Sequence, residues 1–319
     1  MPKVAVVGRG VVGQRISRRL PTVLGDVTVI DHDPRIGREL PSDVDVVVLA
    51  HGGPHVDVAQ RILERGVPVV SVGDELGDVR TMLDLDDLAR NADVPLVVGA
   101  GMAPGLTGLF ARMAASQLAS CDEIHVSIHG TAGPDCARQH HHALRGRALG
   151  LHDGHWIHPP AGSGRELCFF PEPVGPYDCY RAELASPLLL NQAFPEVDRI
   201  SARVSANRRD RFTAWLPMLS PPHREGGVGA VRVEVRGTDG TGARRTTIVG
   251  VAELVGTATA ATAAAFAVEA VHGRLPNGVC RAGDADLDTT GILYTVSQLG
   301  VRLQEFTGVP STQRISANP

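Results

Sequence analysis

The chain has 319 residues, of which 43% are apolar and 21% are charged, so two folded domains are expected and a disordered protein is excluded. Its formal net charge is −4, and it has no basic tail or stripe, which argues against a nucleic-acid partner. The five cysteines are odd in number and show no CxxC spacing. Neither a disulfide framework nor a structural zinc site is therefore expected.

Lysine is almost absent from the sequence. Lys3 is the only lysine among 31 basic residues, and it precedes the first predicted strand. Ligands of α/β sheets bind at the opposite, carboxyl ends of the strands. Schiff-base chemistry, a phosphate-loop lysine and a lysine proton donor are therefore excluded.

A glycine-rich turn follows the first predicted strand, Val4–Val7. Gly8, Gly10 and Gly13 have the GxGxxG spacing, and the segment QRISRRL continues with helical periodicity. The first glycine suits a tight turn, the second lets the backbone approach a pyrophosphate, and the third lets the helix pack on the strand. The strand before and the helix after make this turn a predicted dinucleotide site.

The second predicted strand, VTVID, ends at Asp31, 18 residues beyond Gly13. A carboxylate at this place binds the ribose 2′-hydroxyl of NAD and repels the 2′-phosphate of NADP. Arg35 and Arg38 follow and would attract that phosphate. We expect NAD or NADP as the cofactor, with NAD favoured.

Buried-strand patterns and helical patterns then alternate as far as the strand VPLVVG, which predicts a Rossmann-type doubly wound parallel sheet. The longest apolar segment, 258–271, is alanine-rich and contains Glu269, so it is predicted to be a buried helix and not a membrane span. The N-terminus has no signal-peptide pattern, so we expect a cytoplasmic protein with no membrane partner.

The segment VVGAGMAPGLTGLFAR, residues 97–112, places several glycines and a Pro-Gly pair between a strand and a helix. Glycine allows backbone to come close to a ligand, so this corner is predicted to face the cofactor. Packing alone is the alternative.

These motifs resemble the saccharopine dehydrogenase-like oxidoreductases, in the reductase branch that joins or splits amino acids at a secondary amine. The fingerprint, the stretch from DVDVVVLAHGGP to GVPVVSVGDE, the GAGMAPGLTGLFAR corner and TAATAAAFAVEAVHGRLPNGV carry the likeness. The resemblance implies an NAD(P)-dependent enzyme with a Rossmann domain and a second, substrate-binding domain.

Two positions depart from the family pattern. Ala103 stands where members acting on lysine or polyamine substrates often have Asp before Pro-Gly, and Ser71 stands where another Asp is expected. Both changes remove carboxylates near the expected nicotinamide position, which argues against a saccharopine-like diamine substrate.

The second half predicts an α+β domain with an open, mainly antiparallel sheet. EIHVSIHG at 123–130 alternates as a half-buried strand, 231–236 and 246–254 form a predicted hairpin, and 197–204 adds a further strand. We expect a dinucleotide domain over 1–120 and a substrate or dimerisation domain over 121–319. The resemblance implies that a C-terminal helix, about 285–319, returns to the first domain. A homodimer is expected.

Eight of the 13 histidines lie between positions 125 and 158, but they lack a metal-binding spacing such as HExxH, so no metal is expected. Tyr177, Asp178 and Tyr180 cluster in a Pro-rich stretch predicted to be an ordered loop system. We expect Tyr177, Asp178 or His142 to relay a proton and Arg181 to hold a substrate carboxylate. The alternative is that the tyrosines only pack.

The remaining expected contacts come from the glycine-rich segments. Expected to contact the cofactor are Gly8, Gly10, Val11, Val12, Gly13, Asp31, His51, Gly52 and Gly101. Expected to contact a small-molecule substrate are Met102, Pro104, Gly105 and Arg181.

The sequence therefore predicts an oxidoreductase acting on a C=N or C–N bond of an amino-acid-derived substrate. A reductase of C=C or C=O bonds, like the trans-acting enoyl reductases that also resemble this family, is an alternative. A non-catalytic dinucleotide sensor is another.

Overall fold

The computed structural model describes residues 1–34, 40–219 and 221–305. The helices are α1 (Val11–Leu24), α2 (Val56–Leu63), α3 (Leu76–Leu83), α4 (Asp86–Asn91), α5 (Leu106–Ala115), α6 (Pro134–Ala143), α7 (Ser186–Ala193), α8 (Arg208–Phe212), α9 (Val255–Val271) and α10 (Thr289–Gln298). The strands are β1 (Lys3–Val7), β2 (Thr28–His32), β3 (Val46–Leu49), β4 (Val69–Ser71), β5 (Pro95–Val98), β6 (Ser120–His129), β7 (Gly150–His152), β8 (His155–Ile157), β9 (Glu166–Phe169), β10 (Pro176–Arg181), β11 (Arg199–Ser205), β12 (Val228–Thr238), β13 (Arg244–Leu254), β14 (Gly278–Arg281) and β15 (Gln304–Glu305).

The first sheet is parallel throughout and has the order β14-β5-β4-β3-β1-β2. The chain order reverses at β1, which has β2 on one side and β3 on the other. A crevice for ligands opens at such a switch point, outside the carboxyl ends of the strands. The predicted doubly wound sheet is confirmed.

Both faces of this sheet are buried, as the continuous apolar runs of its strands predict. Val4 and Val6 of β1 belong to a core shared with α1, α5, α9 and the second sheet. Ala5 and Val7 belong to a core under α2 and α3. Lys3 begins β1 and pairs with Asp43 at the amino end of the strand, away from the crevice.

The second sheet is mixed and, in the described residues, has the order β15-β13-β12-β6-β11-β10-β9, with β7 and β8 attached to β11. β12 and β13 form the predicted hairpin. β6 pairs antiparallel with β12 and parallel with β11. Ile124, Val126 and Ile128 of β6 point into the core, because alternate residues of a strand face opposite sides.

Helix α9 and strand β14 return the chain to the first sheet. Every residue of α9 from Val255 to Ala270 is buried, and α9 contacts both α1 and α10. β14 then pairs with β5 as the edge strand of the first sheet. None of the helices in the described ranges combines the length and the apolar character that a membrane crossing requires. The domain boundaries and the homodimer remain predictions.

The stretch predicted as a loop system is partly strand. It contains β8, β9 and β10, and β10 pairs with both β9 and β11. These strands have only three to six residues each, and the stretch contains five prolines. The residues therefore show no clear period of two, and the sequence pattern does not reveal the strands. Tyr177 and Asp178 consequently lie on β10 and not on a loop.

Candidate functional site

A cavity of about 730 Å³ lies between the two sheets, at the switch point of the first. One wall comes from the loops that follow β1, β3, β4 and β5. The opposite wall comes from the end of β6, from α6, from the segment around Arg224 and from α9. Cavities of this size enclose small ligands and cofactors.

The glycine-rich turn forms one end of the cavity. Gly8 has φ +127°, and a Cβ there would lie 2.4 Å from the carbonyl oxygen of Ala50. A Cβ at Gly13 would lie 1.8 Å from the carbonyl oxygen of Gly8, whereas nothing lies within 4 Å of a Cβ at Gly10. Gly8 and Gly13 therefore allow close backbone packing, whereas Gly10 leaves space on the cavity side.

Helix α1 begins at this end without a side-chain cap. Gly10 is its N-cap residue and the first turn contains no acidic residue. Gly10, Val11 and Val12 line the cavity. Because the first N–H groups of a helix have no partner within the helix and lie at its positive end, this turn suits a phosphate group.

The two carboxylates at the carboxyl end of β2 occupy different surroundings. Asp31 is exposed, accepts a hydrogen bond from Ser17 Oγ and does not line the cavity. Asp33, two residues further on, does line it. Arg35 and Arg38 lie outside the described residues.

His51 and Gly52 follow β3 and line the cavity, as does His55 at the start of α2. The ring of His51 lies 4.3 Å from the ring of His55, centre to centre, and His51 Nε2 is buried without a hydrogen-bond partner among the described residues. This nitrogen is a polar group available to a ligand.

A buried hydrogen-bond network fixes His55. Its Nε2 lies 3.0 Å from the carbonyl oxygen of His51, and its Nδ1 lies 2.7 Å from Ser71 Oγ. A carbonyl only accepts, so the neutral ring donates from Nε2 and accepts from Ser71. Burial lowers the pKa of His55 to about 4. Ser71 thus holds the His55 ring and does not line the cavity. Having Ser here in place of the Asp expected from the family pattern therefore does not change the cavity lining directly.

The Gly-rich corner divides between ligand contact and packing. Gly101, Met102 and Ala103 line the cavity, and Met102 N–H donates to Thr259 Oγ1 over 3.2 Å. Pro104 and Gly105 are buried beneath them and do not line it. A Cβ at Gly105, where φ is +126°, would lie 2.2 Å from the carbonyl oxygen of Gly101. The corner both faces the cavity and depends on glycine for its own closure.

Three titratable side chains meet where the loop after β4 approaches α6. Asp74 follows β4, and Cys136 and His140 lie on α6. Their ligand atoms all lie within 4.8 Å of one another. Burial raises the pKa of Asp74 to about 6 and that of Cys136 to about 12, and it lowers the pKa of His140 to about 4. Gln139 hydrogen-bonds to Asp74.

The residues predicted to relay a proton or to hold a substrate carboxylate are not brought to this cavity. Tyr177 is 44% exposed and stacks on His129 at 4.0 Å, because it lies on the outward face of β10. Asp178 pairs with Arg165 at 2.9 Å, and His142 is exposed on α6. Arg181 lines a separate cavity of about 220 Å³ against the second sheet.

Sequence reasoning missed Asp74, Cys136 and His140. One signal was available: Cys136 and His140 are four residues apart, the spacing that puts two side chains on the same face of a helix. Nothing in the sequence pairs Asp74 with α6, because that contact depends on how the two sheets pack.

No protein-family model matches this sequence, and no curated protein matches it. Among solved structures, saccharopine dehydrogenase (L-Glu forming) from Saccharomyces cerevisiae is similar with a TM-score of 0.67, 12% identity, and coverage of 96% of this chain and 100% of that chain. Homospermidine synthase from Legionella pneumophila, in complex with NAD, gives a TM-score of 0.67 at 12% identity over 100% of this chain and 94% of that chain. This chain therefore has a saccharopine dehydrogenase-like fold, as the resemblance in its sequence implied.

Proposed function

We propose that this chain is an NAD(P)-dependent oxidoreductase whose cofactor lies along the large cavity, with its pyrophosphate over the start of α1. The observation that carries the proposal is the glycine turn. It leaves open space at Gly10 and presents an uncapped helix N-terminus to a cavity large enough for a nicotinamide and a substrate. Cavity-lining arginines add positive charge for the phosphates; they are Arg9, Arg15 and Arg18.

The cofactor we favour is NAD. Asp31 and Asp33 lie at or just beyond the carboxyl end of β2, and a carboxylate there repels the 2′-phosphate of NADP. Asp33 lines the cavity, so we propose it as the ribose contact in place of Asp31. Arg18 lines the same region and would favour NADP if it, and not the carboxylate, contacted the ribose.

Separate substitution of the two carboxylates tests this assignment. Asp33→Asn should weaken NADH binding and strengthen NADPH binding, because the repulsion of the 2′-phosphate is lost. Asp31→Asn is the matched control and should change the ratio of NADH affinity to NADPH affinity little. The opposite pattern in a fluorescence titration would return the ribose contact to Asp31.

The reaction we propose is hydride transfer at a C=N or C–N bond of an amino-acid-derived substrate. A bound nicotinamide would supply the hydride for the imine carbon, and the imine nitrogen would take a proton; the oxidation would be the reverse. The residues of the cavity orient the substrate and exclude water. The similarly folded homospermidine synthase and saccharopine dehydrogenase support a nitrogen-containing substrate.

One cavity-lining arginine, Arg224, could bind the carboxylate of a substrate. Arg224 lines the large cavity, whereas Arg181 lines the other cavity. Arginine binds carboxylates through two parallel hydrogen bonds. We therefore propose Arg224, and not Arg181, as the group that selects an amino-acid-derived substrate.

A reductase of C=C or C=O bonds is the second candidate. It is favoured by Ala103, an apolar side chain that lines the cavity at the position where the sequence resemblance implies Asp for enzymes acting on lysine or polyamine substrates. Asp74 lines the same cavity and supplies a carboxylate from another loop, which favours the nitrogen substrate.

Turnover distinguishes the two candidates. N-substituted amino acids with NAD⁺, and the matching keto acid plus amine with NADH, should change the nicotinamide absorbance at a rate proportional to enzyme. Activity only on C=C or C=O substrates would establish the second candidate. Cofactor binding without turnover on either panel would favour a dinucleotide sensor.

A further inference from the structure

Asp74, Cys136 and His140 form a compact set of three different metal-ligand types, here called the deep-wall cluster. Cys136 and His140 are one helical turn apart on α6, and Asp74 approaches from the loop after β4. All three line the large cavity, and their ligand atoms lie within 4.8 Å of one another. A zinc ion binds such ligands at about 2.0–2.3 Å, which separates tetrahedral ligand atoms by about 3.3–3.8 Å. Coordination would require side-chain rotations that close this difference.

We propose that the deep-wall cluster binds a thiophilic divalent cation of the zinc type, with its fourth position open to the cavity. A thiolate, an imidazole and a carboxylate are ligands that zinc accepts, and three protein ligands plus one open position is the arrangement of catalytic zinc sites. Hard cations such as Mg²⁺ prefer oxygen ligands and do not suit Cys136.

A second observation points to a ligand at the same place. His140 Nδ1 is buried and has no hydrogen-bond partner among the described residues. Buried polar nitrogens are nearly always paired. A metal ion bound to one ring nitrogen would fix the orientation of this imidazole, and Gln139 holds Asp74 beside it.

The charges of the cluster also fit a dication. The three side chains can supply a thiolate, a neutral imidazole and a carboxylate to one point of the cavity. A cation of charge +2 deprotonates a thiol that coordinates it. The thiol proton is released to solvent on binding. The ion with one thiolate and one carboxylate is then electrically neutral.

The role of this cation rests on the proposed function. Its open position would accept a lone pair from the nitrogen or oxygen next to the carbon that exchanges the hydride, which polarises that bond. A lysine cannot polarise this bond, because Lys3 is the only lysine in the sequence and lies at the far end of β1. The metal-binding step itself needs neither cofactor nor substrate.

Metal binding is tested on the full chain after treatment with a chelator. Co²⁺ should bind with a stoichiometry of one and give a thiolate-to-metal absorption band in the near ultraviolet, and Zn²⁺ should displace it. Cys136→Ser should abolish the band. Asp74→Asn and His140→Gln should each weaken Zn²⁺ binding by more than the roughly 10- to 100-fold that loss of an outer hydrogen-bond partner costs.

Cys121→Ser is the matched control, since Cys121 lies half-buried on β6 and does not line the cavity; it should keep the band. Circular dichroism of each variant separates loss of metal from loss of fold. A titration without a thiolate band, or a band that survives in folded Cys136→Ser, would overturn the site. NADH binding, measured on the same chelated protein, tests the proposed function separately.

Discussion

At the scale of single residues, the glycines of the first turn differ in what surrounds their missing side chains. A Cβ at Gly13 would lie 1.8 Å from a backbone oxygen, while a Cβ at Gly10 meets nothing. The GxGxxG spacing alone treats these positions alike. Substitution of Gly13 and of Gly10 should therefore separate the effect on packing from the effect on cofactor binding.

Gly13→Ala is expected to lower the free energy of unfolding by about 1–3 kcal/mol, the usual cost of overpacking. Gly10→Ala should cost less than about 1 kcal/mol, because it changes only an N-cap residue. The same Gly10→Ala change should weaken NADH binding at least about tenfold, or about 1.4 kcal/mol. Chemical denaturation and fluorescence titration measure the two effects. Equal stability losses in both variants would contradict the assignment.

Two arginines distinguish the sequence-based substrate contact from the structural one. Arg224→Gln should raise KM roughly 10- to 100-fold, since a hydrogen bond to a charged group contributes about 1.5–3 kcal/mol. Arg181→Gln, in the smaller cavity, should leave KM within about twofold. Steady-state kinetics on the substrate identified in the turnover panel decides between them. A raised KM in Arg181→Gln alone would restore the earlier assignment.

At the scale of elements, α2 is joined to β4 and α3 by a buried polar network. Asp78 of α3 accepts hydrogen bonds from the backbone N–H groups of His55 and Val56, over 2.9–3.1 Å. The ring of His55 bonds to Ser71 of β4. The Asp78 carboxylate thus pairs with the free backbone N–H groups at the start of α2. The network therefore connects α2, β4 and α3 beside the cavity.

This network predicts a pH dependence of stability. The folded pKa of His55 is lowered from 6.5 to about 4, so its contribution is present above pH 6.5 and is lost as the pH falls through about 4. The full loss is on the order of 3 kcal/mol. Unfolding free energies of the wild type and His55→Gln should therefore converge on acidification. Parallel pH profiles would show that His55 is not held neutral by burial.

The elements show how far sequence reasoning reaches. The turn after β1 and the β12–β13 hairpin follow from local periodicity, and the structure confirms these elements. β9 and β10 have four and six residues with weak alternation, so their strand character comes from pairing partners distant in the chain. Tyr177 therefore lies on a strand where the sequence pattern predicts a loop.

At the scale of the whole molecule, the cavity exists only because two sheets from different parts of the chain face each other. Gly52, in the loop after β3 of the first sheet, lies so close to α6 that a Cβ there would be 2.7 Å from Asp135 Oδ2. The sequence predicts the cavity wall formed by the first 105 residues, because each loop follows a recognisable strand. The sequence does not predict the wall formed by α6, because no local sequence pattern indicates which helix packs against the crevice.

The central claim is that this cavity binds a nicotinamide dinucleotide. The most direct measurement is a fluorescence titration of the purified wild-type protein with NADH and, separately, with NADPH. We expect saturable binding of one NADH per chain, tighter than the binding of NADPH. Binding of neither would contradict the oxidoreductase function and leave a saccharopine dehydrogenase-like fold without a dinucleotide.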